Sequence, residues 1–295
     1  DKRTSKSKNL FALISELRST EYDHIINCQR FLSTGLMTVL AKGKEKIGYD
    51  KNPLSLSFTR RVKHTIGDGR HEVDRLNDLI EHLTDGTRPL PRLHPTDKDR
   101  LAAQAFIGPH AHERSFITVA PASVWYTKQW PVEKWAELLA SLPMDQRIIL
   151  LGGPGDKALC EDLRRRVNAQ RAAQAHIPGQ EELVQVLAGE LTLLGTAALM
   201  ERAAVNHVND SAPLHIASAM NAPVTAVFCS TVPRFGFGPL GENGHVVETT
   251  ELLDCRPCGL HGHKACPKGH FKCALGIDAR AVVNDRGPGS LPLPA

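Results

Sequence analysis

No apolar run in this sequence approaches the roughly 18 residues that a membrane-crossing helix needs, so a soluble chain is expected. The opening DKRTSKSKN has no apolar core behind its basic residues, as a secretory leader would, and it begins on Asp1; the start reads as cut rather than targeted. Charge of one sign is also scarce. Lys and Arg number 36 and Asp and Glu 32, leaving +4. That is too little to argue for nucleic acid, although it suits an anionic substrate or membrane surface. The glycine-bearing turn LLGGPGDK lacks the full G-x-G-x-x-G spacing, so it gives no dinucleotide fingerprint.

What is present is a globular composition, 41% apolar and 23% charged, over 295 residues, a length that suits two domains. In the first part, apolar residues recur at helical spacing from Leu10 to Leu17 and YDHIINC reads as a strand. A helix over Phe31 to Ala41, a strand at KIGY and a helix in HEVDRLNDLIEHL follow, the last with a stripe of Val73, Leu76, Leu79, Ile80 and Leu83. Alternation of this kind predicts a parallel sheet. A parallel unit normally opens on a strand, so the sequence is expected to begin part way through its first domain.

Residues 86–114 carry four prolines and many polar residues, and mark the domain boundary. The expected division is a first domain over 1–95, a linker over 96–114, a second domain over 115–280 and a disordered Pro/Gly-rich tail over 281–295. Asp97-Lys98-Asp99 matches the Asp-x-Asp pattern of cation-holding sugar-nucleotide enzymes. Thr96 followed by acidic residues is, however, the ordinary start of a helix, and that reading is preferred. Beyond the linker come strand FITVAP, a helix from Pro131, strand RIILLGG and a helix from about Lys157. A short strand near LVQVLAG, a helix over Leu193 to Arg202, strand AVNHV, a helix opened at Pro213 and strand VTAVFC complete a doubly wound pattern.

In such sheets ligands sit beyond the carboxyl ends of the strands, where helix N-termini face anions. Three turns occupy that position. PASVWYTKQWP offers the Ser123 and Thr127 hydroxyls and the Lys128 cation, which is suited to phosphate though equally ordinary as a surface lysine. LLGGPGDK offers Gly153 and Asp156, for which a tight turn with an Asp cap is at least as good a reading. VNDSAPLHIASAM places Asp210, Ser211, Ala212 and His215 where strand becomes helix, which is either capping or a ligand site.

Taken together these turns resemble glycosyltransferase family 9, the ADP-heptose:lipopolysaccharide heptosyltransferases, and within it the heptosyltransferase II type. The resemblance runs through YDHIINCQRF, KIGYDKNPLS, HEVDRLNDLI, the APAS to TKQWPVEKWAELL block, LLGGPGD, NDSAPLHIASAMNAPVTAVF and CRPC to CPKGHFKC. It implies an α/β GT-B architecture, two Rossmann-like domains with an interdomain cleft, the first lacking its N-terminal strand. It implies an inverting, metal-independent transfer of heptose from ADP-heptose to the lipopolysaccharide inner core, in the cytoplasm at the inner face of the inner membrane. Lys128 would then neutralise the donor diphosphate, Ser123 would bond to it, and Asp210, Ser211 and the amides after them would hold the nucleotide end. The carboxylate base belongs to a loop that the resemblance puts ahead of Asp1, so no residue here is nominated for it. Ala212 departs from the family pattern, standing where glycine is usual, and its methyl is expected to crowd phosphate at the helix start; His71 and Glu72 match a first-domain motif that either meets acceptor or braces the domain.

Seven cysteines remain. Cys28, Cys160 and Cys229 lie in or beside apolar stretches and are expected to be buried thiols of a reducing compartment. Cys255, Cys258, Cys266 and Cys273, with His261, His263 and His270 nearby, are compatible with structural zinc, the rival readings being reduced or partly bridged thiols. Other functions kept open are a GT-B enzyme with a different donor, an epimerase, and a non-catalytic module in which the Cys-rich segment binds metal or a partner.

Overall fold

A computed structural model describes residues 5–108, 116–174 and 183–284. The chain forms two compact units, Asp1–Pro89 and Leu90–Ala295, each built around a parallel sheet.

The first unit runs α1 (Lys6–Leu17), β1 (Glu21–Asn27), α2 (Leu32–Leu40), β2 (Lys42–Tyr49), β3 (Arg60–Val62) and α3 (Glu72–Ile80). Its strands lie in the order β1-β2-β3, with Ile26 opposite Ile47 and Ile47 opposite Arg60. Ile47, Tyr49 and Leu79 form the centre of a small core, flanked by Val62 and Ile80. The sequence reading missed β3, because Arg60-Arg61-Val62 is too short and too charged to show a strand period. Cys28, expected to be buried, is exposed: it follows the last residue of β1, which is an edge strand.

The second unit comprises α4 (Asp97–Ile107), β4 (Phe116–Ala120), α5 (Val132–Ala140), β5 (Arg147–Leu150), α6 (Lys157–Gln174), β6 (Val184–Val186), α7 (Leu193–Arg202), β7 (Asn206–Asn209), α8 (Ala212–Ala219), β8 (Val224–Phe228), β9 (Gly244–Glu248), α9 (Lys272–Leu275) and α10 (Ala279–Asn284). Thr96 caps α4 in the ordinary way: its side chain accepts from Asp99 N–H while the Asp99 carboxylate takes the Thr96 N–H at 3.0 Å. The Asp-x-Asp carboxylates are thus a helix start. Helix α4 also departs from the expected linker. Ala103 and Ile107 are buried with Leu199 and Met200 of α7, and Arg147 of β5 donates to Ile107 O, so this segment packs within the second unit, and the division falls between Pro89 and Leu90. Residues 109–115 and 285–295 lie outside the described residues, while 281–284, placed in the expected tail, complete α10.

All six strands are parallel in the order β6-β5-β4-β7-β8-β9. Such a sheet is covered on both faces, and β4, β7 and β8 are accordingly buried at every residue. One face carries Trp130, Trp135, Leu138 and Leu163, the other Leu199, Leu214 and Phe228. Trp130 and Trp135 meet edge to face at 4.9 Å. At about 25 cal/mol per Å² and roughly 200 Å² of ring apiece, each contributes several kcal/mol. Chain order runs outward from β4 through β5 to β6 and, on the other side, from β7 through β8 to β9. The reversal between β4 and β7 is the switch point, beyond whose carboxyl ends ligands bind in sheets of this class.

Candidate functional site

The loop leaving β4 passes through a 3-10 turn at Tyr126–Lys128 before α5, and β7 gives way to α8 in two residues. At this junction Lys128 Nζ lies 2.7 Å from Asp210 Oδ2. The Asp210 side chain is 6% exposed and that of Lys128 16%, so the pair is largely buried and the lysine is the more open of the two. Asp210 Oδ2 also accepts from Thr231 Oγ1 at 2.6 Å. Thr231, 1% exposed, follows β8. The loops after β4, β7 and β8 thus meet at the Asp210 carboxylate.

Asn209, the last residue of β7, holds the loop in place. Its Nδ2 donates to Pro121 O at 2.7 Å and its Oδ1 accepts from Trp130 N–H at 2.9 Å. One fully buried amide therefore fixes both ends of the Lys128 loop. Within the loop Gln129 Nε2 donates to Ser123 O, keeping half-buried Ser123 beside the turn. Thr127 departs from expectation. It is 1% exposed, and its hydroxyl accepts from His263 N–H at 2.7 Å and from Ser230 Oγ at 3.1 Å. It is turned inward as a brace and does not face a ligand. Arg256 completes the frame, donating to the Cys229 and Thr231 carbonyls and to Glu248 Oε2, so the ends of β8 and β9 are tied.

The other two turns separate. Asp156 Oδ2 takes the Gly153 N–H at 2.8 Å, and a Cβ at Gly152 would lie 2.7 Å from Asp156 Cβ. Asp156 is thus committed to capping, the plainer of its two readings. At α8 no side chain caps the helix: Ser211 Oγ donates back to Asn209 O at 3.4 Å. Ala212 is exposed, and so is His215, whose ring meets Phe237 edge-on at 6.5 Å. An uncapped helix start beside a lysine is a cradle for an anion.

In the first unit His71 and Glu72 stand at the start of α3. His71 Nδ1 accepts from Val73 N–H and its own N–H goes to Asp74, a capping box for α3. Glu72 pairs with Arg75 at 2.7 Å and faces His64 Nε2 at 3.7 Å. Arg75, 1% exposed, also donates to Arg70 O and Asp68. His64 packs edge-on to Tyr49. Burial, opposed by Glu72 and reinforced by Arg30 and Arg75, holds the His64 pKa below its ordinary value. The unfolded chain therefore binds the extra proton first. The unit should keep its full stability above about pH 6.5 and lose stability as pH falls below it. His64→Gln is expected to flatten that dependence in hydrogen exchange of β2 amides between pH 7.5 and 5.5; an unchanged slope would contradict it.

For the cysteine tetrad, structural zinc and reduced or partly bridged thiols are the alternative readings. Among the described residues no three His, Cys, Asp or Glu side chains are grouped so as to hold a metal ion. Cys255 Sγ lies 3.8 Å from His270 Nε2. Burial pushes the Cys273 thiol up to about 11 and Cys258 upward as well. Cys160 and Cys229 are buried as expected. Ser230, Thr231 and Arg256 were given no role in the sequence, Asn209 passed for turn chemistry and His263 was noted only beside the cysteines; the rule that ligands gather at strand ends would have picked out Ser230 and Thr231, which directly follow VTAVFC.

Comparison with known proteins places this geometry. Residues 10–264 match the model of glycosyltransferase family 9 (heptosyltransferase). The chain is similar to lipopolysaccharide heptosyltransferase 1 of Pseudomonas aeruginosa, 25% identical over 249 residues, which are 82% of this chain and 63% of that protein. It is also similar to lipopolysaccharide heptosyltransferase 3 of Escherichia coli, 25% identical over 78% of this chain and 66% of the other. The chain thus spans somewhat under two thirds of the length of these relatives. Among solved structures, E. coli ADP-heptose lipopolysaccharide heptosyltransferase II superposes with a TM-score of 0.69 at 19% identity, covering 94% of this chain and 79% of that one. E. coli heptosyltransferase WaaC with ADP gives 0.58 at 22%, covering 95% and 78%. These likenesses show the fold, α/β with parallel sheets as in the GT-B class.

Proposed function

Since the chain belongs to glycosyltransferase family 9, we propose that it serves to move heptose from ADP-heptose to the inner core of lipopolysaccharide, with inversion and without a metal ion, at the cytoplasmic face of the inner membrane. Among the described residues no helix is long and apolar enough to cross a membrane, so contact with that membrane is peripheral in this reading. The observation that carries the proposal is the Lys128–Asp210 pair, 2.7 Å apart at the switch point of the second sheet. As the bond from heptose to ADP breaks, the departing nucleoside diphosphate builds charge on its phosphate oxygens, and a cation already fixed there stabilises the transition state more than the ground state. Lys128 supplies that cation, in the place where other enzymes use a divalent ion. Asp210 holds the lysine in register before donor arrives, and the uncapped start of α8 offers amides to the diphosphate. Because Asp210 is buried and already bonded to Lys128 and Thr231, we assign it to positioning Lys128 rather than to the ribose. Ser123 is kept on the donor side, and Gly153 and Asp156 are left to the turn they cap. We assign the general base to no described residue.

The test is thermal unfolding of this chain with a panel of nucleotide sugars. A ligand at one hundred times its Kd adds about 2.7 kcal/mol, so ADP-linked sugars should raise Tm while UDP- and GDP-linked sugars do not. Stabilisation by the UDP sugars instead would reassign the donor. In parallel, ADP release from ADP-heptose in the presence of a Kdo- or heptose-bearing acceptor reads the transfer itself.

A further inference from the structure

The Cys-rich segment between β9 and α9 groups no metal ligands among the described residues, yet it reaches directly to the lysine loop. Thr127 N–H donates to His263 O at 3.1 Å, and His263 N–H returns to Thr127 Oγ1 at 2.7 Å. Residue 127 is thereby clamped on both its main chain and its side chain by residue 263. Immediately before the clamp stands Gly262, with φ +77°, in the left-handed region that costs an L side chain strain. A Cβ there would lie 2.9 Å from Thr127 Oγ1, 3.0 Å from Lys128 Cγ and 3.4 Å from Trp125 Cβ. The first of these neighbours cannot move aside, because Thr127 is 1% exposed and its hydroxyl already accepts from His263 and Ser230. The second is the stem of the lysine whose ammonium meets Asp210. A second tie, Cys258 N–H to Ser230 O at 2.8 Å, seats the same segment on the loop after β8.

From this we infer that Gly262 and His263 are positioning residues for Lys128: the Cys-rich segment is a strap that sets where the diphosphate-binding cation stands, and Gly262 is the point at which only a hydrogen fits. The inference rests on the reading of Lys128 as the diphosphate ligand, and deepens it by naming what places that ligand.

The strap acts on the cation and not on the rest of the nucleotide, so its signature is the preference for ADP over AMP. Both are titrated by calorimetry into the 295-residue chain and its variants. Gly262→Ala is expected to weaken ADP about tenfold, an order of magnitude being 1.4 kcal/mol, with AMP within about twofold. Gly269→Ala is the control: it lies in the same segment at φ +73°, and a methyl there would meet no atom within 4 Å, so it carries the backbone strain without the contact and should leave both affinities unchanged. Thr127→Val, which keeps the shape and deletes the hydroxyl, should reproduce the Gly262→Ala loss, and Thr127→Ser should restore ADP binding. That pair decides the matter should Gly262→Ala fail to fold. If Gly262→Ala and Thr127→Val keep the parent preference for ADP while Lys128→Ala loses it, the strap is refuted and the lysine's role stands. If Lys128→Ala also keeps the preference, the reading beneath both is refuted.

Discussion

Lys128→Ala is expected to weaken ADP binding by about one to two orders of magnitude, leaving AMP far less affected. Hydrogen bonds to charged groups contribute roughly 1.5–3 kcal/mol each, and this one is made from a side chain only 16% exposed, where water screens it less than at an open surface. A second effect adds to the first. With the ammonium gone, the buried Asp210 carboxylate keeps Thr231 as a partner but faces an incoming diphosphate with its own charge uncompensated. The loss should therefore exceed that of an ordinary surface contact and should be larger at low ionic strength. Lys128→Arg preserves the charge but brings a planar, wider head on a stem that already runs 3.0 Å from where a Gly262 Cβ would sit; partial rescue is expected. Calorimetric titration of the two variants at two salt concentrations reads both effects. Parent-like ADP affinity in Lys128→Ala would remove the basis of the functional assignment.

The second large effect is on stability. Asn209→Ala should lower the unfolding free energy of the second unit by about 2–5 kcal/mol. It strands the Trp130 N–H and the Pro121 carbonyl, both now satisfied by one buried amide, and an unpaired buried backbone group costs roughly 1–3 kcal/mol. Asn209→Asp should not rescue it, since a carboxylate beside the Pro121 carbonyl has no proton to donate. All three tryptophans, Trp125, Trp130 and Trp135, lie in the loop or the helix it enters, so urea unfolding followed by tryptophan fluorescence reports this region alone. A midpoint shift of only a few tenths of a molar would show that Asn209 is not the clamp.

These two residues also mark how far the sequence could be read. Lys128 was legible because PASVWYTKQWP lies between an apolar strand and a proline-opened helix, so a cation there had to stand at a strand end. Asn209 was in plain view in VNDSAP yet passed for turn chemistry, because its two partners, Pro121 and Trp130, lie 88 and 79 residues away. Thr127 was misread for the same reason. Its neighbours in sequence made it look ligand-facing, and a segment 136 residues downstream turns it inward. Asp156 and the Thr96–Asp99 box, by contrast, were decided by contacts three residues apart, and the capping reading of each needed nothing from the fold.

Local spacing by itself determined most of the elements, the parallel class of both sheets and the three turns at which to look, because helix and strand periods and N-terminal caps are set by residues within a few positions of one another. The tertiary structure decided which of those turns share one site. Strand order placed β7 beside β4, bringing Asp210 to Lys128, and a distant glycine closed the strap behind them. Such pairings depend on loop closure over scores of residues and on the packing of the whole sheet, and no local period encodes them.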